Sequence, residues 1–174
     1  MISQTSEYAL RAALYLAARS DPGLASAHEI SEATRVPVGY LQKILRMLSR
    51  HGILEAHRGT NGGFSLAKVP SAISVLDILN ASDTTIPRIE RCPLGIKGHT
   101  SLCSLHRMLD AEMARSERTF AATSLADLLD GDGGIRPLCD PKGRLPLTVS
   151  VERERVKKNR SVKVERLDHF DDVV

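Results

Sequence analysis

Aromatic residues are scarce in this chain of 174 residues: there is no tryptophan, and aromatics make up only 3% of the sequence. The hydrophobic residues, 42% of the total, are mainly leucine, isoleucine, valine and alanine. This composition favours a soluble helical protein over a β-sandwich. The 12 glycines and 8 prolines form no repeat, which excludes a collagen-like chain and a low-complexity chain.

Long apolar runs are also missing. The longest, from Ala12 to Ala18, is far shorter than the roughly 20 residues that span a bilayer. It does not resemble a secretory leader either, because Ser, Gln and Glu7 precede it where such a leader has basic residues. We therefore expect a cytoplasmic protein without membrane contact.

Cysteine is rare as well. The chain has three cysteines, too few for a disulfide scaffold and odd in number. In a reducing compartment such thiols serve as core residues, metal ligands or redox groups more often than as disulfides.

Positive charge is concentrated in one segment although the net charge is only +3. Residues 35–68 contain six basic residues and one acid, Glu55, which gives this segment a net charge of +5. A polyanion is the natural partner of such a segment, because each basic residue that neutralises a phosphate releases condensed counterions. A solvated helix face is the alternative that charge alone leaves open.

The first half of this chain has the pattern of a helix-turn-helix unit. Helices are predicted over about residues 5–19, 26–35 and 37–51. Ser26 and Glu29 have the spacing of a capping box, and Pro37 suits the first turn of the third helix. Two short strand-like runs, 53–57 and 64–67, follow around a glycine-rich segment that tolerates positive φ. A hairpin directly after a basic helix indicates a winged helix-turn-helix.

The second half is predicted to contain an irregular loop followed by a long amphipathic helix. A short helix over 74–81 and an irregular loop over 87–100 precede a long helix over about 101–120, and a last short helix spans 125–129. The long helix has an apolar stripe at helical spacing, formed by Leu102, Leu105, Leu109, Met113 and Phe120. Such a stripe can pack on its own core or on its copy in a second subunit.

The predicted organisation is therefore mainly α. It comprises a winged helix-turn-helix DNA-binding region at 1–70, a sensor loop and C-terminal dimerisation helix at 71–130, and a mobile tail at 131–174.

Residues of the third helix and the wing are the candidates for DNA contact. The start of the helix would face base edges in the major groove, where Gln42 can pair with adenine and Lys43 with guanine or a phosphate. Arg46 and Arg50 lie further along the helix and suit backbone phosphates. Arg58 on the wing suits an adjacent minor groove. The full set is Val38, Gly39, Tyr40, Gln42, Lys43, Arg46, Arg50, Arg58, Thr60 and Asn61; for Tyr40 a core position is the alternative.

Cysteine and histidine residues cluster around the predicted sensor loop. Cys103 and His106 are three residues apart at the start of the long helix, and Cys92 lies on the loop before it, with His99 between. Two thiolates and an imidazole fit zinc, and they also fit an iron-sulfur cluster of mixed ligation. The spacing does not choose between these groups, and small buried cysteines with solvated histidines remain an alternative. Cys139, between two prolines, is expected to have no ligand role.

Three stretches of the chain resemble a known family: SEYALR at 6–11, VGYLQKIL at 38–45 and, above all, RGTNGGFSLA at 58–67, which is similar to the family's signature wing. The family is the Rrf group of dimeric winged-helix regulators, which includes the iron-sulfur cluster regulator IscR, the nitric-oxide-sensitive repressor NsrR and the cysteine-metabolism regulator CymR. The resemblance covers about residues 1–130. It implies a homodimeric transcription factor on a palindromic operator, with the helix at 101–120 as the dimer interface and with no enzyme activity.

The resemblance also implies a ligand set for a cluster. Cys92 matches the first of three cysteines in cluster-binding members, and Cys103 with His106 resembles the last cysteine and its histidine. The middle position falls on Gly98 or His99, so a set of three cysteines is not available. Some relatives hold a 2Fe-2S cluster with two cysteines, a histidine and an N-terminal acid of the other subunit, and Glu7 stands where that acid would be. The implied ligands are Cys92, Cys103, His106 and Glu7, with His99 as a substitute for either of the last two.

Three functional hypotheses follow. The first is a repressor or activator, with a repressor preferred, whose cluster senses redox state or nitric oxide. The second is the same DNA-binding dimer with zinc, a bare thiol or a small ligand in place of the cluster. The third is a winged-helix module for protein contact or a small metalloenzyme, for which no general base or pocket is recognisable in the sequence.

Overall fold

The structure is a computed structural model that describes residues 2–20, 23–59, 62–82, 84–93, 95 and 101–130. Four candidate residues lie outside this part of the chain, Thr60, Asn61, His99 and Cys139, as does the predicted tail at 131–174.

The helices and strands follow the predicted order. The helices are α1 (Gln4–Ala18), α2 (Ala27–Thr34), α3 (Val38–Arg50), α4 (Val75–Ala81), α5 (Ser104–Ala122) and α6 (Leu125–Leu129), and the strands are β1 (Leu54–His57) and β2 (Gly63–Leu66). A 3₁₀ turn, Pro70–Ala72, was not predicted. Most boundaries differ from expectation by one to three residues. Pro37 is the N-cap of α3 and not part of its first turn, and α5 begins after Cys103, its N-cap.

The helix-turn-helix is held together by the first helix. Ala9, Ala12 and Ala13 on α1 have no exposed surface; because these side chains are small, α2, α3 and α4 pack closely against α1. The turn between α2 and α3 passes through Arg35, which adopts the left-handed conformation with φ of 59°. Leu41, Ile44, Leu45 and Leu48 of α3 are buried in the same core.

The wing is an antiparallel hairpin that joins the segment before α2. In the β1–β2 ladder Leu54 pairs with Leu66, and His57 pairs with Gly63. Ala25 and Phe64 exchange two backbone hydrogen bonds of 3.0 and 2.8 Å, which attaches the wing to the helical core. A Cβ atom on Gly63 would lie 2.7 Å from the Ala25 carbonyl oxygen, so this approach requires glycine.

The hydrophobic core continues beyond residue 70. Ile73, Ile78 and Leu125 belong to the same buried cluster as the helix-turn-helix. The N-termini of α4 and α6 lie side by side, because the Val75 amide donates to the Thr123 carbonyl and the Leu125 amide donates to the Ile73 carbonyl, each at 2.9 Å. The end of α5 is therefore fixed to the DNA-binding region, and the boundary at residue 70 stays a prediction.

Helix α5 leaves most of its surface uncovered. It has 19 residues, a length of about 28 Å, and among them only Ala114 is buried. Leu105 is 57% exposed and Met108 53% exposed. These apolar side chains have no covering layer within the described part of the chain.

Candidate nucleic-acid interface and thiol site

Gly39 and the exposed polar residues of α3 lie on one face of the helix. Gly39, Gln42, Lys43, Arg46 and Arg50 fall within about 100° of the helix circumference at 3.6 residues per turn, and all five are exposed. The buried leucines and isoleucine of α3 lie on the opposite side. The hydrophobic core therefore fixes the direction in which the cationic face points.

The basic residues of this face are not neutralised by nearby acids. No carboxylate among the described residues forms an ion pair with Lys43, Arg46, Arg50 or Arg58. Arg11, in contrast, pairs with Glu7. A charged surface without counter-charges attracts a polyanion more strongly than one with alternating signs.

Tyr40 sits at the edge of the cationic face and is anchored to α1. It is 38% exposed, and its hydroxyl forms a hydrogen bond with the Thr5 hydroxyl. Its ring packs edge-on against the Tyr8 ring, with centroids 5.8 Å apart. One side of Tyr40 therefore fixes α3 to α1 while the other stays accessible, and its contact with DNA stays a prediction.

The wing presents Arg58 at the end of β1. Arg58 is exposed and directly follows β1, and the next residue, Gly59, has φ of +117°. The Gly62 amide donates to the Gly59 carbonyl at 2.9 Å. Glycine at position 59 suits this backbone geometry, which other residues adopt only with strain. Val38 is also exposed, at the N-terminus of α3.

Two cysteines meet one histidine at the start of α5. The Nδ1 atom of His106 lies 3.2 Å from the Cys103 sulfur and 3.9 Å from the Cys92 sulfur. Two ligands of a tetrahedral zinc ion, one nitrogen and one sulfur, would be about 3.6 Å apart, so both separations are near the required range. All three side chains are half-buried. The predicted grouping of Cys92, Cys103 and His106 is present in the structure.

These three residues do not by themselves make a closed metal site. Among the described residues, no group of three or more His, Cys, Asp or Glu side chains is arranged to hold a metal ion. Both sulfurs contact the same imidazole nitrogen and do not surround a common centre. The donor chemistry fits a soft metal or a cluster, but the geometry requires adjustment and at least one further ligand.

Glu7, the fourth implied ligand, is occupied elsewhere in its own chain. Its carboxylate accepts a hydrogen bond from the Arg11 side chain, and Arg11 also donates to the Thr34 carbonyl at 3.3 Å. Within the described chain Glu7 has no contact with the thiols. A role for Glu7 at the thiol site therefore requires a second subunit.

The loop that carries Cys92 is fastened to α5 by a salt bridge that sequence reasoning missed. The Arg88 guanidinium donates to both carboxylate oxygens of Asp110, at 2.8 and 2.9 Å, and the Ile89 amide donates to the same carboxylate at 2.9 Å. These hydrogen bonds, led by that from Arg88, lower the pKa of Asp110 to about 2. An arginine in a loop and an aspartate on a helix 22 residues later give no local signal that would have paired them.

Comparison with known proteins assigns the family. The model of the family Rrf2, described as iron-dependent transcriptional regulators, matches residues 2–131. This chain belongs to the Rrf2 family. The resemblance drawn from the three sequence stretches is confirmed.

Individual relatives support the same assignment. An HTH-type transcriptional regulator of Synechocystis sp. is 40% identical over 85 residues, which cover 49% of this chain and 58% of that relative. The regulator NsrR of Geobacillus kaustophilus is 29% identical over 144 residues, covering 79% of this chain and 95% of NsrR. The structure of CymR, the global cysteine regulator of B. subtilis, aligns with a TM-score of 0.64 at 23% identity over 74% of this chain and 95% of CymR.

Membership in the Rrf2 family settles the broad function. The Rrf2 protein described here is a transcriptional regulator with a DNA-binding winged helix, and its relatives are regulators, not enzymes. The expected fold class is confirmed by the structure and by its winged-helix neighbours. None of the described helices is both long and apolar enough to cross a membrane.

Proposed function

We propose that this Rrf2 protein is a homodimeric repressor that binds a palindromic operator, and that the site formed by Cys92, Cys103 and His106 controls its affinity for DNA. The observation that carries the DNA-binding part is the single cationic face of α3, exposed and free of ion pairs with described residues.

The residues of α3 and the wing have different tasks on DNA. Gln42 and Lys43, in the first turns of α3, read base edges in the major groove. Arg46 and Arg50 lie one and two turns further along and contact phosphates, which position the protein without specifying sequence. Arg58 enters the adjacent minor groove and favours A·T-rich stretches, where that groove is narrow.

Dimerisation would bury the apolar side chains that α5 exposes. The exposed Leu105, Met108 and Leu109 form an apolar patch that a second copy of the same helix would bury. A two-fold dimer presents two α3 helices in opposite directions, which matches two half-sites of a palindrome.

The sensing part rests on the thiol site. We assign Cys92, Cys103 and His106 as three ligands of a 2Fe-2S cluster, with Glu7 of the partner subunit as the fourth and His99 as a substitute for either His106 or Glu7. When bound, such a cluster would give the protein a redox-active centre that reacts with oxidants or nitric oxide. Ligation by histidine in place of cysteine raises the reduction potential, which suits redox sensing.

A second candidate is sensing without a cluster. Both sulfurs lie close to one imidazole nitrogen, an arrangement that bare thiols of Cys92 and Cys103 can use without any metal; zinc with a further ligand and a small ligand are the other forms of this candidate. The DNA-binding part of the proposal is the same in both cases.

One experiment separates these possibilities. The protein is purified without air, its absorbance and iron content are measured, and its binding to its own upstream DNA is followed by electrophoretic shift before and after exposure to air. Coloured, iron-containing protein with an air-dependent shift supports the cluster. Colourless protein that still shifts this DNA supports the second candidate, and failure to shift any promoter fragment at low salt contradicts DNA binding. A reporter behind the bound promoter tests repression, because deletion of the regulator should raise its expression.

A further inference from the structure

The segment 84–93, which contains Cys92, has no regular secondary structure but follows α5 closely. Arg88 and Ile89 bond to Asp110, and three residues further on Cys92 reaches His106, which lies one helical turn before Asp110. The segment thus runs antiparallel to α5. Arg88 also donates to Glu117 at 3.2 Å, two turns beyond Asp110.

We propose that Arg88 and Asp110 are positioning residues that hold the Cys92 thiol beside His106 and Cys103, and thereby set the affinity of this site for a soft metal ion. The inference deepens the proposed function and rests on its assignment of the thiol site. Neither Arg88 nor Asp110 touches the site; both act through the backbone of the segment.

Chain lengths explain why this anchor matters. His106 and Asp110 are about 6 Å apart along the helix axis, and the three residues from Ile89 to Cys92 extend over at most about 10 Å. The hydrogen bond from Ile89 to Asp110 therefore keeps Cys92 within reach of His106 and restricts the other positions that Cys92 can occupy.

The next anchor is much more distant. Apart from Arg88 itself, which also pairs with Glu117, the nearest other hydrogen-bonded point before Cys92 in the described chain is Thr84, whose hydroxyl lies 2.6 Å from the Ser6 hydroxyl. The eight residues from Thr84 to Cys92 can extend over about 27 Å. Effective concentration falls as a tether lengthens. Loss of the bonds to Asp110 therefore lowers the effective concentration of the Cys92 thiol near His106 and Cys103.

The hydrogen bonds that Asp110 accepts from Arg88 and Ile89 are of a kind that holds the segment in a fixed position. Asp110 accepts from a backbone amide as well as from a bidentate guanidinium, and charge-assisted bonds of this kind are stronger and more directional than neutral ones. The amide bond fixes the main chain of the segment, so the constraint reaches Cys92 through few rotatable bonds.

The test compares two alanine variants of α5 in a protein with Cys139→Ser, so that only Cys92 and Cys103 carry thiols. Asp110→Ala removes the anchor. Glu112→Ala is the matched control, because it removes the same charge from a neighbouring exposed position where Glu112 pairs with Arg115 at 3.4 Å. Two quantities are measured: the affinity for Co²⁺ from its thiolate absorption, and the yield of a bifunctional bimane that fluoresces only after bridging two thiols.

We expect Asp110→Ala to lower the affinity for Co²⁺ roughly tenfold or more, as changes to residues that orient ligands do, and to reduce the bridging yield. Glu112→Ala should leave both unchanged. Arg88→Ala should change both quantities in the same direction, and the double variant should have the largest effect, because Arg88 keeps its contact with Glu117 in Asp110→Ala and the Ile89 amide keeps its bond to Asp110 in Arg88→Ala. Circular dichroism checks that each variant is folded, and Arg88→Lys, which keeps the charge but loses the bidentate pair, replaces any variant that is not.

The result that overturns the proposal is equal bridging in folded Asp110→Ala and Glu112→Ala. Failure of the proposed function looks different. If the parent protein binds no Co²⁺ while bridging still falls only in the Arg88 and Asp110 variants, the metal part of the proposed function is wrong, and the positioning role is supported.

Discussion

The phosphate-contact role of Arg50 can be tested through the salt dependence of DNA binding. Arg50 is exposed on the cationic face of α3, in its last turn, and has no ion pair with a described residue. The perturbation is Arg50→Ala. It removes one positive charge per subunit and leaves the buried face of the helix intact, so the fold should be unchanged.

The expected magnitude follows from counterion release. Each phosphate contact contributes about 0.9 to the slope of log affinity against log salt concentration. A dimer carries two copies of Arg50, so the variant should have a slope that is shallower by about 1.8. Between about 50 and about 200 mM salt, the parent protein should then lose roughly tenfold more affinity than the variant.

The assay is fluorescence anisotropy on a labelled duplex from the protein's own upstream region, repeated at several salt concentrations. Arg118→Ala serves as the control, since Arg118 is exposed on α5 and its removal changes the net charge equally. The reasoning is refuted if both variants give the same slope. It is also refuted if Arg50→Ala changes the preference among operator sequences, because a phosphate contact weakens binding to all sequences alike.

Three further outcomes are expected. Leu109→Asp should make the protein monomeric in sedimentation experiments and abolish cooperative operator binding, because it places a charge in the patch that the second α5 would bury. Gly63→Ala should lower the free energy of unfolding by about 1–3 kcal/mol in denaturant titrations, since its Cβ would lie 2.7 Å from the Ala25 carbonyl oxygen; an unchanged midpoint would contradict the tight packing. The pKa of Asp110 is about 2 against an ordinary 3.8, so the Arg88 salt bridge should stabilise the fold above about pH 4 and lose this effect as the pH falls towards 2. The difference in Tm between the parent and Asp110→Ala should shrink over that pH range, and a difference that grows would show that the carboxylate is not stabilised.

The fold was predictable because its signals are local. The buried positions of α3 recur at helical spacing, and Ser26 accepts from the Glu29 amide at the N-terminus of α2 as its spacing indicated. The other half of the predicted capping box is absent from the described part of the chain, because the Glu29 carboxylate bonds to Tyr15 and Arg19 instead. The glycines of the wing mark positions where the backbone needs positive φ or close approach. A pattern of this kind fixes which face of α3 is buried, and with it which face carries the basic residues.

The residues of the thiol site were predictable from the sequence, but the contacts that position Cys92 were not. The three-residue spacing of Cys103 and His106 places them on one face of a helix, and the sequence allowed Cys92 to fold over them. The sequence could not reveal the contacts that bring Cys92 to His106. Arg88 and Asp110 are far apart in sequence, and no local pattern around either residue indicates that they pair. Contacts of long sequence separation between an irregular segment and a helix leave no periodic pattern.

The first turn of α1 connects the two functional regions. The Ser6 hydroxyl contacts the Thr84 hydroxyl, at the start of the segment that carries Cys92, and accepts from the Ser82 hydroxyl at 2.8 Å. The neighbouring residue, Thr5, holds Tyr40 of the DNA-binding helix. Coupling between two sites requires an element whose contacts both sites can change. Because neighbouring side chains on α1 contact Thr84 of the segment 84–93 and Tyr40 of α3, this turn offers a continuous set of contacts through which a change at Cys92 could alter the position of α3.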